Sequence, residues 1–197
     1  MGLITGVEGW VMNGGSAIAA VGSWGIEKSA EIHAAVASNT KGAPIQVPGN
    51  LDWSGSYSAY GATPALKPAE LFQFKGIIEP DNDKGVSCAA DKAICDNVAI
   101  TWDQATGAPI RHEVAFGGNG ELSEGTVSGA VEDTSTPVKK TSSECIVKIM
   151  TPGGAYAELE HITGVRLTLS RNIVGPVHTS TTGKHPTRAK GNFTGEV

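Results

Sequence analysis

Residues 98–116 read VAITWDQATGAPIRHEVAF. In VAITW, 98–102, apolar side chains alternate along the run, the period of an extended strand with one side facing a core. DQATG, 103–107, has the length and the turn-forming residues of a hairpin connection. IRHEVAF, 110–116, then runs back. The stretch predicts two neighbouring antiparallel strands, with GGNG, 117–120, closing them.

The same pattern spreads in both directions. In LDWSGSYSAY, 51–60, Leu51, Trp53 and Tyr57 share one side, interrupted by Gly55. In VRLTL, 165–169, Val165, Leu167 and Leu169 take one face and Arg166 and Thr168 the other. Residues 71–78 read as a strand, CIVKIM (145–150) as a strongly buried one, and 125–133 and 155–160 as further extended segments. Residues 20–36 read as strand, turn and strand, with a helix over 27–36 as the competitor because Ala and Glu favour it. Pro64 and Pro68 keep 62–70 out of any central strand. Residues 79–92 and 134–144 read as long polar surface loops, the first of them mobile. Most connections are too short for crossover helices. The expected fold is mainly β: one domain over 1–197, an antiparallel sandwich or barrel with an N-terminal arm and long loops.

An internal echo supports hairpin units. GAPI (42–45) precedes Gly49-Asn50, GAPI (107–110) precedes Gly118-Asn119, and GKHPT (183–187) precedes Gly191-Asn192. Gly and Asn tolerate positive φ, so each Gly-Asn pair is expected at a turn.

Composition narrows the function. The 197 residues include 26 glycines, nearly twice the usual share of about 7%. The formal charge is −5 with no basic block, which disfavours tight wrapping of nucleic acid and suits a soluble protein or a surface that nucleic acid slides past. Three cysteines (Cys88, Cys95, Cys145) give no disulfide framework and are expected as free thiols in a reducing compartment. No apolar run approaches the ~20 residues that span a bilayer, so no membrane insertion is expected.

Catalytic signatures are not evident. GGNG lacks the Lys-Ser/Thr of a phosphate loop. Ser54, Ser56 and Ser58 lack a nucleophile elbow. The carboxylate pairs Asp81/Asp83, Glu158/Glu160 and Glu132/Asp133 read as surface acids. His112, beside Glu113 in a strand, reads as structural, and His185 as loop. Trp53 and Trp102 read as core or interface anchors. The expectation is no enzyme: no catalytic, cofactor or metal residues, and no cofactor.

Taken together, PIQVPGNLDWSGSYSAYG (44–61), VAITWDQATGAPIRHEVAFGGNGELS (98–123), GVRLTLSRN (164–172) and GNFTGEV (191–197) resemble the tail tube, or major tail, proteins of long-tailed bacteriophages. The resemblance covers most of the chain. It implies a β-sandwich or barrel with a short flanking helix, near 92–97 or 143–148. It also implies a structural virion subunit assembled in the host cytoplasm. Its partners would be itself, as hexameric rings stacked into a tube, and other tail proteins, with DNA in transit without sequence-specific binding. A tail terminator, a head decoration protein or the tube protein of an injection machine would share this class. A carbohydrate-binding sandwich is the third reading, resting on the aromatic set Trp53, Tyr57 and Tyr60, and it gains if Trp53 and Tyr57 face solvent in a shallow groove.

Overall fold

Extended chain dominates because alternating apolar residues, β-branched residues and aromatics recur in short runs between turn formers. The computed structural model describes residues 2–6, 10–18, 20–36, 43–61, 64–79, 83–103, 106–129, 146–159, 162–174, 177–180, 183–186 and 189–196. The strands among them are β1 (Gly2–Gly6), β2 (Val11–Asn13), β3 (Ser16–Ala17), β4 (Val21–Val36), β5 (Pro44–Tyr60), β6 (Leu71–Phe72), β7 (Phe74–Glu79), β8 (Lys84–Cys88) and β9 (Ala93–Asp103). They continue with β10 (Arg111–Gly118), β11 (Leu122–Thr126), β12 (Lys148–Met150), β13 (Tyr156–Glu158), β14 (Gly164–Val174), β15 (Val177–Ser180), β16 (Gly183–Pro186) and β17 (Ala189–Glu196).

Two sheets make the sandwich. The larger has the order β1-β4-β5-β10-β9-β14-β17, with β6 also paired to β9; the smaller has the order β11-β8-β7-β2-β3. Two ribbons, β12–β13 and β15–β16, form separate two-stranded sheets, and β16 lies against β5. Every strand pairing is antiparallel. The expected hairpin is present: β9 and β10 pair from Thr101↔Arg111 to Ala93↔Gly118, with a bulge where Ala115↔Asn97 gives way to Phe116↔Cys95.

Several expectations change. Residues 20–36 are neither strand-turn-strand nor helix. Val21–Val36 form the single strand β4, laddered to β5 from Val21↔Ala59 to Val36↔Pro44, with register shifts at Val21/Ser23 and Ala30/Ile32. Helix propensity differs by about 0.7 kcal/mol per residue at most, and a long ladder with Trp24 and Ile26 buried outweighs it. No helix occurs among the described residues. The flanking helix near 92–97 is overturned, because β9 starts at Ala93; of 143–148, residues 143–145 lie outside the described residues and Lys148 opens β12.

The segment 71–78 is two strands in two sheets. β6 pairs with β9, while β7 pairs with β2 and β8. The break is Gln73, whose carbonyl accepts from Gly14 N–H at 3.0 Å and whose Nε2 donates to the Cys88 carbonyl at 3.0 Å. The expected mobile loop 79–92 holds β8, laddered on both sides by β7 and β11, with Val86 and Cys88 buried; residues 80–82 lie outside the described residues. Among the described residues of CIVKIM, 146–150, Lys148–Met150 is strand, and it is exposed rather than buried. The loop 134–144 lies outside the described residues. Gly49-Asn50 and Gly191-Asn192 sit inside β5 and β17, so the Gly-Asn echo does not mark turns there.

The core is organised by one ring. Phe116 of β10 meets Phe74 at 4.9 Å between centroids, Phe72 at 5.4 Å, and Trp53 and Tyr57 at 6.3 Å each; Trp24 meets Phe74 edge-on at 5.9 Å. Phe74 belongs to the smaller sheet and Trp24, Trp53, Tyr57 and Phe116 to the larger, so this cluster joins the two layers. Three of these rings rest over strand glycines. A Cβ at Gly55 would meet Phe116 and Ile26, one at Gly76 would meet Trp24, and one at Gly118 would meet the Trp53 indole. Trp53 also donates from Nε1 to the Gly120 carbonyl at 2.7 Å.

Overpacking of this kind costs about 1–3 kcal/mol and removal of a buried Phe about 3–5 kcal/mol. Gly55→Ala is expected to fall in the first range and Phe116→Ala in the second, measured by urea unfolding. Gly153→Ala, where an added Cβ meets nothing within 4 Å, should leave the midpoint nearly unchanged.

Candidate functional site

A strand buried on one face presents its alternate residues on the other. In the larger sheet the core face is mainly aromatic and aliphatic, and the outer face is built largely from small residues, with Arg111, Glu113 and Arg166 among them. Register sorts that outer face into rows across the strands. Gly25, Ser56, Ala115, Asn97 and Ser170 form one row; Ser23, Ser58, Glu113, Ala99 and Thr168 the next; Tyr60, Arg111, Thr101 and Arg166 the third. A shallow open cavity of about 630 Å³ lies over these rows. Ser23 and Ser58 share a hydroxyl hydrogen bond of 2.9 Å, and the Arg111 guanidinium is 2.9 Å from the Glu113 carboxylate.

The serines singled out in the sequence therefore lie on this face: Ser54 and Ser56 are exposed, and Ser58 is buried by its neighbours. The other candidates are scattered. Asp83 is exposed and Glu158 lies on the exposed ribbon strand β13, while Asp81, Glu132, Asp133 and Glu160 lie outside the described residues. Trp53 and Tyr57 are 4% and 2% exposed, so the aromatic platform needed for sugar stacking is turned into the core, and Tyr60 alone of the three reaches solvent at 45%. The row of Arg111, Thr101 and Arg166 was not anticipated. The outward alternation of each was readable in its strand, but their alignment depends on a register between strands.

A second feature is the arm made by the far ends of β4 and β5. Here Ile32, Val36, Ile45 and Val47 are exposed, on a ribbon that runs past the pairing of β4 with β1 and of β5 with β10. Ile149, Met150 and Tyr156 are likewise exposed on the β12–β13 ribbon. Isolated two-stranded ribbons are marginal in water, and exposed apolar side chains on them mark surfaces suited to contact.

His112 sits on the core face of β10, 3% exposed, with its Nδ1 unpartnered among the described residues. Burial lowers its pKa, partly offset by a hydrogen bond with the Gly61 backbone. The cysteines Cys88 and Cys95 are free and buried. Burial pushes the Cys88 thiol up to about 11. Cys95 rises to about 12 through burial, then the nearby charges of Asp96 and Glu70. Cys145 lies outside the described residues.

No protein-family model matches the chain, and no characterised protein matches its sequence at a significant level.

Two measurements check these environments. The unfolded chain takes up a proton at His112 near pH 6.5, whereas the folded chain resists until lower pH, so this residue's contribution is complete above about 6.5 and is lost as pH falls below it. Lowering the pH from about 7.5 to about 5.5 should reduce the Tm of the wild type more than that of His112→Gln. For the thiols, a mild alkylating agent at about pH 8 should leave Cys88 and Cys95 unmodified in the folded protein and modify both in denaturant, read by peptide mass.

Proposed function

We propose that the chain is a structural subunit that assembles with copies of itself into rings, stacked as a tube of the phage-tail class through which DNA passes. The observation that carries the reading is the construction of the larger sheet. One face is closed by the smaller sheet, the other is an open polar surface of small side chains, and β1 and β17 form its two outer edges with one strand neighbour each among the described residues.

Exposed strand edges invite pairing. Pairing β17 of one copy with β1 of the next is a heterologous contact, and such contacts close into a ring when the rotation permits. In a ring of that kind the open face of the larger sheet turns toward the axis and the smaller sheet outward. A lining of Ser, Gly, Ala and Thr with few charges offers a duplex little to grip. The apolar β4–β5 arm and the β12–β13 ribbon supply surfaces for contact between rings. The resemblance of residues 44–61, 98–123 and 164–172 to tail tube proteins supports the same reading.

Negative-stain microscopy of concentrated protein tests it. Rings or tubes of uniform diameter are expected, and uniformly monomeric particles would count against the proposal. The edge contact has its own test. Successive N–H groups along a strand point to opposite edges, so of Phe193→Pro and Thr194→Pro one removes an outward donor and the other breaks the ladder to β14. The first should keep the Tm and lose assembly. If both variants assemble normally, β17 is not the ring contact.

A further inference from the structure

Arg111 of β10 and Arg166 of β14 are each directly opposite Thr101 of the intervening strand β9. The two arginines therefore stand at one level on the outer face, two strand spacings or about 10 Å apart at the backbone. Their side chains are long enough for both guanidinium groups to converge on one phosphodiester or on two successive ones. Tyr60, opposite Arg111 on β5, ends the row. Arginine is suited to this target because its planar fork matches phosphate oxygens bidentately.

Glu113 opposes that use. It lies two residues from Arg111 on the same face, with its carboxylate 2.9 Å from the guanidinium and both side chains 48% exposed. At that exposure the ion pair adds little to stability. Its consequence is local: it occupies one fork of Arg111 and cancels one of the two positive charges in the row. Arg166 has no ion pair among the described residues. The row thus keeps one free guanidinium and one restrained.

We infer that the Arg111–Thr101–Arg166 row is a contact site for the phosphate backbone of duplex DNA, and that Glu113 holds its grip low enough for the duplex to move along the face. The identity of the polyanion rests on the tube reading. In a ring the row recurs once per subunit, and repeated sites on one polymer multiply their hold, so a small grip per copy becomes a large one overall. A restraint built into every copy meets that problem at its source. Glu113 acts through Arg111, as a positioning residue.

The test titrates a short labelled duplex DNA with the full chain and reads affinity against salt concentration. Glu113→Gln should bind about tenfold more tightly at low salt, with a slope of log affinity on log salt steeper by about 0.9, one further phosphate contact. Glu27→Gln removes the same charge from the same face away from the row and should stay near wild type. Adding Arg111→Gln and Arg166→Gln to Glu113→Gln should abolish the gain. The inference is overturned if Glu27→Gln matches Glu113→Gln, if Glu113→Gln gains nothing, or if the gain survives loss of both arginines. Microscopy of the wild type keeps the two readings apart. Tubes without the DNA gain overturn the row alone, while the gain without tubes keeps the row and overturns the tube.

Discussion

Phe116 lies over Gly55, its direct partner across the β5–β10 ladder, and the two layers of the sandwich depend on that contact. With any side chain at position 55 the ring would be displaced from the sheet. Seated there, it lies 4.9 Å from Phe74 of the smaller sheet and gathers Trp53, Tyr57 and Phe72 around it. Gly76 gives Trp24 the matching space from the other layer. The glycine excess of this chain is thus partly a packing device. Flat backbone windows let large rings bury more area than alternating medium side chains would, and edge-to-face pairs add to the burial.

The same alternation that feeds this core empties the opposite face. Positions next to Trp24, Tyr57, Val98 and Val114 are taken by Ser23, Ser58, Ala99 and Glu113, of which only Glu113 projects far. The result is a broad polar surface whose charges sit in particular rows rather than as a patch. On the proposed reading, the hold of this face on a polyanion turns on a few groups, and the Arg111–Glu113 pair is the place where a single carboxylate sets the balance.

Much of the fold was legible in the residues. VAITW, IRHEVAF and VRLTL alternate cleanly, and all three are central strands of the larger sheet, neighbours through β9. Legibility failed where local and distant terms disagree. Residues 27–36 have helical composition, but pairing with β5 decides them. Residues 84–88 have loop composition, but ladders on both sides make them a strand. The reverse holds at 146–150, apolar enough for a core yet exposed at Ile146, Ile149 and Met150.

What the sequence by itself determined was the strand habit, the antiparallel class and the two-faced character of each central strand, because side-chain alternation is a property of neighbours along the chain. What only the tertiary structure decided was which residues stand side by side across strands: Phe116 over Gly55, Trp24 over Gly76, Arg111 level with Arg166. Those depend on register and on the passage from one sheet to the other at Gln73. A one-residue slip in register would turn a whole strand over. The energy that forbids such a slip comes from packing between layers, which no single stretch of sequence contains.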